Sequence, residues 1–171
     1  ADDQVNVLDV IIIVGEILDP EWEGESCETA TADVNADGSV NVLDIVEIVG
    51  VILEGEARTV DASSATIFKA DDGVTIEADG FVAGIEMKIS HDTDFSIELT
   101  DNAMVSEYVT KGNTTHLIVV ALEDEIIFSS NGDFTIDEVI AANTNGEYIN
   151  VSNGVPTAFG LSAAYPNPFN P

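Results

Sequence analysis

The chain repeats itself within its first third. Residues 1–18 read ADDQVNVLDVIIIVGEIL and residues 36–53 read ADGSVNVLDIVEIVGVIL, identical at 12 of 18 positions at an offset of 35. A duplication of this length is one short unit used twice, and a unit this small cannot bury its own apolar face. Each copy is a polar loop bearing Asp and Asn that runs into an apolar stretch, which predicts a loop followed by a helix. Ile11-Ile12-Ile13-Val14 in the first copy, and Ile45-Val46 with Ile48-Val49 in the second, are apolar over more than one core-facing stripe. Two such helices need a further surface to cover them. Either the rest of the chain or a partner protein must supply it.

The composition changes after Glu56. From Thr59 onward, short β-branched and aromatic runs alternate with Gly, Asn and Asp turns, the pattern of an antiparallel sandwich. Strands are expected near 65–69, 74–78, 81–90, 95–100, 104–110, 115–122, 125–129, 134–140 and 147–151. Turn signals stand at Asp72-Gly73, Asp79-Gly80, Asn131-Gly132 and Asn145-Gly146. The run from Val82 to Ile89 alternates, with charges on one face and apolar groups on the other. The last eleven residues, LSAAYPNPFNP, hold three of the five prolines and should be extended. The expected fold class is α+β in two domains: a loop–helix pair over 1–57 and an antiparallel β-sandwich over 58–158. A Pro-rich tail follows over 159–171.

Charge excludes whole classes of partner. The 171 residues carry 33 Asp and Glu against 4 Lys and Arg, a formal charge of −29. Such a surface repels phosphate backbones and anionic headgroups, so neither nucleic acid nor a membrane surface is an expected partner. Divalent cations are. No apolar run has the ~18 residues of a spanning helix, so membrane insertion is not expected. The single cysteine, Cys27, allows no internal disulfide, and with two scattered histidines it makes no zinc site. No GxSxG, P-loop or HExxH pattern occurs, and no enzymatic activity is expected. His91 reads as a surface turn residue and His116 as a strand residue, neither with a tuning partner. Trp22 reads as an anchor clamping the acidic loop to the helix pair, with a stacking platform for a sugar as the alternative.

The chemistry lies in the second copy. Residues 33–44 read D-V-N-A-D-G-S-V-N-V-L-D, placing Asp33, Asn35, Asp37, Asn41 and Asp44 at loop positions 1, 3, 5, 9 and 12. Gly38 falls at position 6, where the chain must reverse, and Ser39 at position 7 can offer its carbonyl. Calcium takes six to eight hard oxygen ligands, and this is the EF-hand loop spacing with Asp44 in place of the closing Glu. In the first copy Asp2, Gln4, Asn6 and Asp9 align with positions 5, 7, 9 and 12. Positions 1 and 3 would fall before Ala1, and Asp3 replaces the glycine. Either the chain is trimmed there or this site is the weaker one, its missing ligands coming from water or a neighbouring chain.

A duplicated loop of this kind, each copy followed by one helix with no incoming helix, resembles a type I dockerin over residues 1–55. The resemblance implies calcium as the bound ion and docking onto a cohesin β-sandwich. It also implies that loop positions 10 and 11 and the helices choose the partner. These are Val42 and Leu43 with Val46, and in the first copy Val7 and Leu8 with Ile11 and Ile12. Positions 10 and 11 are apolar here, where many dockerins carry hydroxyl residues. Residues 59–155 resemble a cohesin-like or carbohydrate-binding-like sandwich, chiefly in GFVAGIEMKISHDTDFSIEL (80–99) and SSNGDFTIDEVIAA (129–142). The tail from Leu161 resembles the start of a type IX secretion sorting domain.

Together these readings describe a secreted, calcium-binding, non-catalytic assembly protein. The docking face of one subunit would pack on the sandwich of another, head to tail, to build an extracellular filament or surface structure. The alternative is the dockerin and carbohydrate-binding region of a larger secreted polysaccharide-degrading enzyme, whose partner would be a polysaccharide.

Overall fold

The computed structural model describes residues 7–19, 32–52 and 60–154. The helical pair is α1 (Val7–Leu18) and α2 (Val42–Ile52), one in each copy of the repeat. Nine strands follow: β1 (Ser64–Ala70), β2 (Gly73–Ala78), β3 (Gly84–His91), β4 (Ser96–Leu99), β5 (Ala103–Lys111), β6 (Thr114–Leu122), β7 (Ile126–Asn131), β8 (Phe134–Ala142) and β9 (Asn150–Gly154). Every expected strand is present. The anticipated positions of Trp22, Cys27, the domain boundary at 57/58 and the tail lie outside the described residues.

The strands form two sheets, one ordered β4-β7-β2-β1-β9 and the other β5-β6-β3-β8. Pairing is antiparallel throughout except at one edge, where β9 runs parallel to β1. The chain crosses from one sheet to the other between β8 and β9. No hairpin therefore dictates the direction of β9. Apolar residues meet between the sheets: Ile67, Ile76, Ile85, Met87, Ile89, Leu117 and Val119 are buried there, as are Ile127 and Phe128 where the β2–β7 register shifts.

The four-stranded sheet is buried on its other face as well. The run His116-Leu117-Ile118-Val119-Val120 of β6 sends Leu117 and Val119 inward, and Ile118 and Val120 outward into a second apolar cluster. Ala121, with φ of +51°, interrupts this alternation, so that Ala121 joins Val120 on the outer side while Leu122 returns to the sandwich core. That second cluster is completed by Val10, Ile13, Val14 and Leu18 of α1 and by Val42, Ile45, Val46 and Val49 of α2. The helix pair thus lies on the outer face of β5-β6-β3-β8, with α2 against β3, β6 and β8 and α1 against α2, β5 and β6. The chain's own sheet thus covers α2 and one stripe of α1.

Candidate functional site

Local turn chemistry shapes the second loop. The Asp33 carboxylate accepts the Asp37 N–H at 3.1 Å and the Gly38 N–H at 3.0 Å. Asn35 Oδ1 also accepts the Asp37 N–H, at 2.8 Å, and Asp37 Oδ1 accepts the Ser39 N–H at 2.8 Å. Gly38 has φ of +90°, a backbone conformation that a side chain would strain. These side-chain-to-backbone bonds wind the loop into successive tight turns.

Asp44 closes the loop from the first turn of α2. Its Oδ1 accepts the N–H groups of Val34 (2.8 Å) and Asn35 (3.3 Å), and its Oδ2 accepts that of Asn41 at 2.9 Å. Asn41 in turn caps the helix, its Oδ1 accepting the Leu43 N–H at 2.8 Å, so the two residues form a reciprocal cap three residues apart. Asp44 is fully buried. Burial pushes its carboxyl above the ordinary carboxylate value, the N–H bonds from Asn41, Asn35 and Val34 pull it back, and the nearby Asp33 charge pushes it up again. An ionised carboxylate held out of water in this way is one that a cation stabilises.

The donor chemistry fits calcium. Asp33, Asp37 and Asp44 supply carboxylates, Asn35 and Asn41 supply amide oxygens, and Ser39 supplies its carbonyl: all are hard oxygen donors on a loop with glycine at its reversal. Among the described residues no three His, Cys, Asp or Glu side chains stand together as a metal cluster. In the first copy only Asp9 of the four candidate ligands is described, half-buried in the first turn of α1. Asp2, Gln4 and Asn6 lie outside the described residues.

The loop delivers α2 to the sheet. Val42 and Val46 lie directly over Gly84 of β3: a Cβ on that glycine would stand 2.6 Å from Val42 Cγ2 and 2.8 Å from Val46 Cγ1. The close approach explains why glycine occupies this strand position. Beside it, Glu86 Oε2 accepts the Val42 N–H at 3.1 Å and Glu86 Oε1 accepts from His116 Nε2 at 2.8 Å. A buried carboxylate at a helix N-terminus completes the cap that Asn41 and Asp44 begin, and it opposes the positive end of the helix dipole.

The residues expected to meet a partner therefore divide. Val42, Leu43 and Val46 are covered by the chain itself, at 0%, 3% and 0% exposure, whereas Val7, Leu8, Ile11 and Ile12 are 39%, 60%, 49% and 59% exposed. In this structure the chain's own sheet is what covers the α2 residues. Two histidine readings are corrected. His91 is not a surface turn residue but a buried one at the end of β3, stacked on Phe95 at 4.3 Å with Nε2 2.8 Å from Thr115 Oγ1. His116 does have a partner, Glu86. Strand alternation places Glu86 and Gly84 on one face, but only the topology shows that a helix covers that face.

Comparison with known proteins adds one firm point. Residues 1–53 match the dockerin type I domain model. The match takes in both loops and both helices. Among solved structures, the chain is similar to a non-cellulosomal cohesin from the hyperthermophilic archaeon Archaeoglobus fulgidus. That likeness has 12% identity and a TM-score of 0.35, and covers 58% of this chain and 87% of the other. It is also similar to a chain of the Coh-OlpC-Doc435 type I cohesin–dockerin complex from Clostridium thermocellum, at 10% identity and a TM-score of 0.38, covering 58% and 96%. No curated protein matches. No described helix is long and apolar enough to cross a membrane.

Proposed function

We propose that this chain is a calcium-stabilised, non-catalytic docking protein of an extracellular assembly. Its dockerin region (1–57) is the docking element and its sandwich (58–158) the receiving one. The observation that carries this reading is the seating of Val42 and Val46 over Gly84, with Glu86 taking the first helical amide. Bound calcium would offset the mutual repulsion of Asp33, Asp37 and Asp44, and the chain's own residues then set the first turn of α2. Asn35, Asn41 and the Ser39 carbonyl complete the ligand set, and Asp2, Gln4, Asn6 and Asp9 serve the first loop.

Every copy carries both the helix pair and the sheet face, so a contact made within one chain is also available between two. Exchanged head to tail, it does not have to close and extends into a filament. Sedimentation velocity of the full chain at high protein concentration tests this. The expected result is oligomers in saturating calcium that dissociate with chelator and weaken in Val42→Asp. Monomer under every condition would rule out assembly by exchange. Retardation of that monomer in polysaccharide gels would favour the enzyme-appendage reading.

A further inference from the structure

We propose that Glu86 couples the calcium loop to the sheet: it is the positioning residue through which docking of α2 and calcium affinity reinforce each other. The proposal rests on the calcium reading above. The first turn of α2 belongs to two structures at once. Asn41 and Asp44, ligand positions 9 and 12, hold each other and the Leu43 N–H. The Val42 N–H, between them in sequence, leaves the loop and is donated to Glu86 Oε2 at 3.1 Å. Whatever fixes Asn41 and Asp44 therefore fixes the amide that Glu86 receives.

The sheet side is built to receive it. Glu86 is buried, and its second oxygen is held by His116 Nε2 at 2.8 Å, so the carboxylate is aimed at the helix end. Gly84, two residues along the same face, leaves room for Val42 and Val46 to bring that end into reach. A carboxylate accepting from a backbone N–H at a helix N-terminus is a charge-assisted bond, stronger than its neutral counterpart. Linkage then requires reciprocity. If calcium favours the docked helix, docking raises calcium affinity by the same factor.

The test is a calorimetric calcium titration of the full chain as wild type, Glu86→Gln, Gly84→Val and the double variant, with thermal melting of each in calcium and in chelator. Gly84→Val holds α2 off the sheet by its clash with Val42 and Val46. We expect the tighter site to weaken about tenfold in Glu86→Gln, within the usual range of coupling factors, and at least as much in Gly84→Val. The double variant should weaken no further than Gly84→Val alone. The rise in melting temperature on adding calcium should shrink in Glu86→Gln, whereas a merely structural role would lower the midpoint equally with and without calcium. Unchanged affinity in Glu86→Gln overturns the proposal, even if Gly84→Val weakens binding. A Glu86→Gln effect that persists on the Gly84→Val background also overturns it, because the charge would then act on the loop without docking. Wild type that takes up no calcium removes the calcium reading itself, and the coupling with it.

Discussion

The two copies of the repeat are nearly the same sequence in different surroundings. Val7 and Ile11 of α1 correspond to Val42 and Val46 of α2, yet the first pair is 39% and 49% exposed and the second pair is fully buried. Both helices bury a stripe on each other and on the sheet, through Val10, Ile13 and Val14 on one side and Ile45, Ile48 and Val49 on the other. Among the described residues, only α2 is covered on its remaining face, by Gly84 and Glu86 of β3. A helix that is apolar all round is stable in water only where something surrounds it, and the duplication supplied that need twice while the sheet answers it once. Sequence identity therefore fixes the helix but not its neighbours.

The largest expected effect sets the two positions against each other. Val46→Asp puts an unpaired charge beneath α2, where it should cost about 3–5 kcal/mol, while Ile11→Asp at the equivalent exposed position should stay below ~1 kcal/mol. Chemical denaturation of the two variants measures the gap, and equal losses would break the comparison. Calcium sharpens it next. At a hundredfold excess over Kd, the ion should stabilise the native state by about 2.7 kcal/mol. Asp37→Ala in the second loop should abolish most of that gain, and Asp9→Ala in the first loop, where Asp3 replaces the glycine, much less of it. Melting curves with and without chelator provide the readout.

Truncation without charge gives a smaller contrast. Val42→Ala should cost about 2 kcal/mol and Val7→Ala no more than ~0.5 kcal/mol, because only Val42 leaves a gap above Gly84. The smallest effect concerns the sandwich alone. Ser63 and Ser64 donate backbone and hydroxyl hydrogens to Asp79, which holds its carboxyl well below the ordinary value of 3.8. Stability from a depressed carboxyl is present above its unfolded value and lost as pH falls through that value toward the folded one. The sandwich should therefore weaken below about pH 4, and Asp79→Asn should flatten that acid limb without touching the helix pair. An acid melting profile unchanged by the substitution would argue against it.

Most of the fold was legible because its signals are local. Period-two alternation and the Gly, Asn and Asp turns located all nine strands, and the Asp-Asn-Asp-Gly spacing located the second loop. What was not legible depends on which surfaces meet. Glu86 reads as the exposed charge of an alternating strand until α2 is laid across it. His91 reads as part of a polar turn, HDTD, until Phe95 and Thr115 fold around it. The parallel course of β9 depends on a crossing between sheets that no local pattern encodes. The dockerin resemblance marks Val42 and Val46 as a docking surface, but a resemblance does not say whose sheet they dock on.

The central claim is that α2 sits on the chain's own four-stranded sheet, and methyl-resolved NMR tests it most directly. In dilute, monomeric protein with calcium, nuclear Overhauser contacts should join the Val42 and Val46 methyl groups to the Hα of Gly84, with the Val42 amide protected from exchange. Contacts that vanish on dilution, or a Val42 amide that exchanges as if open to water in the monomer, would contradict the account.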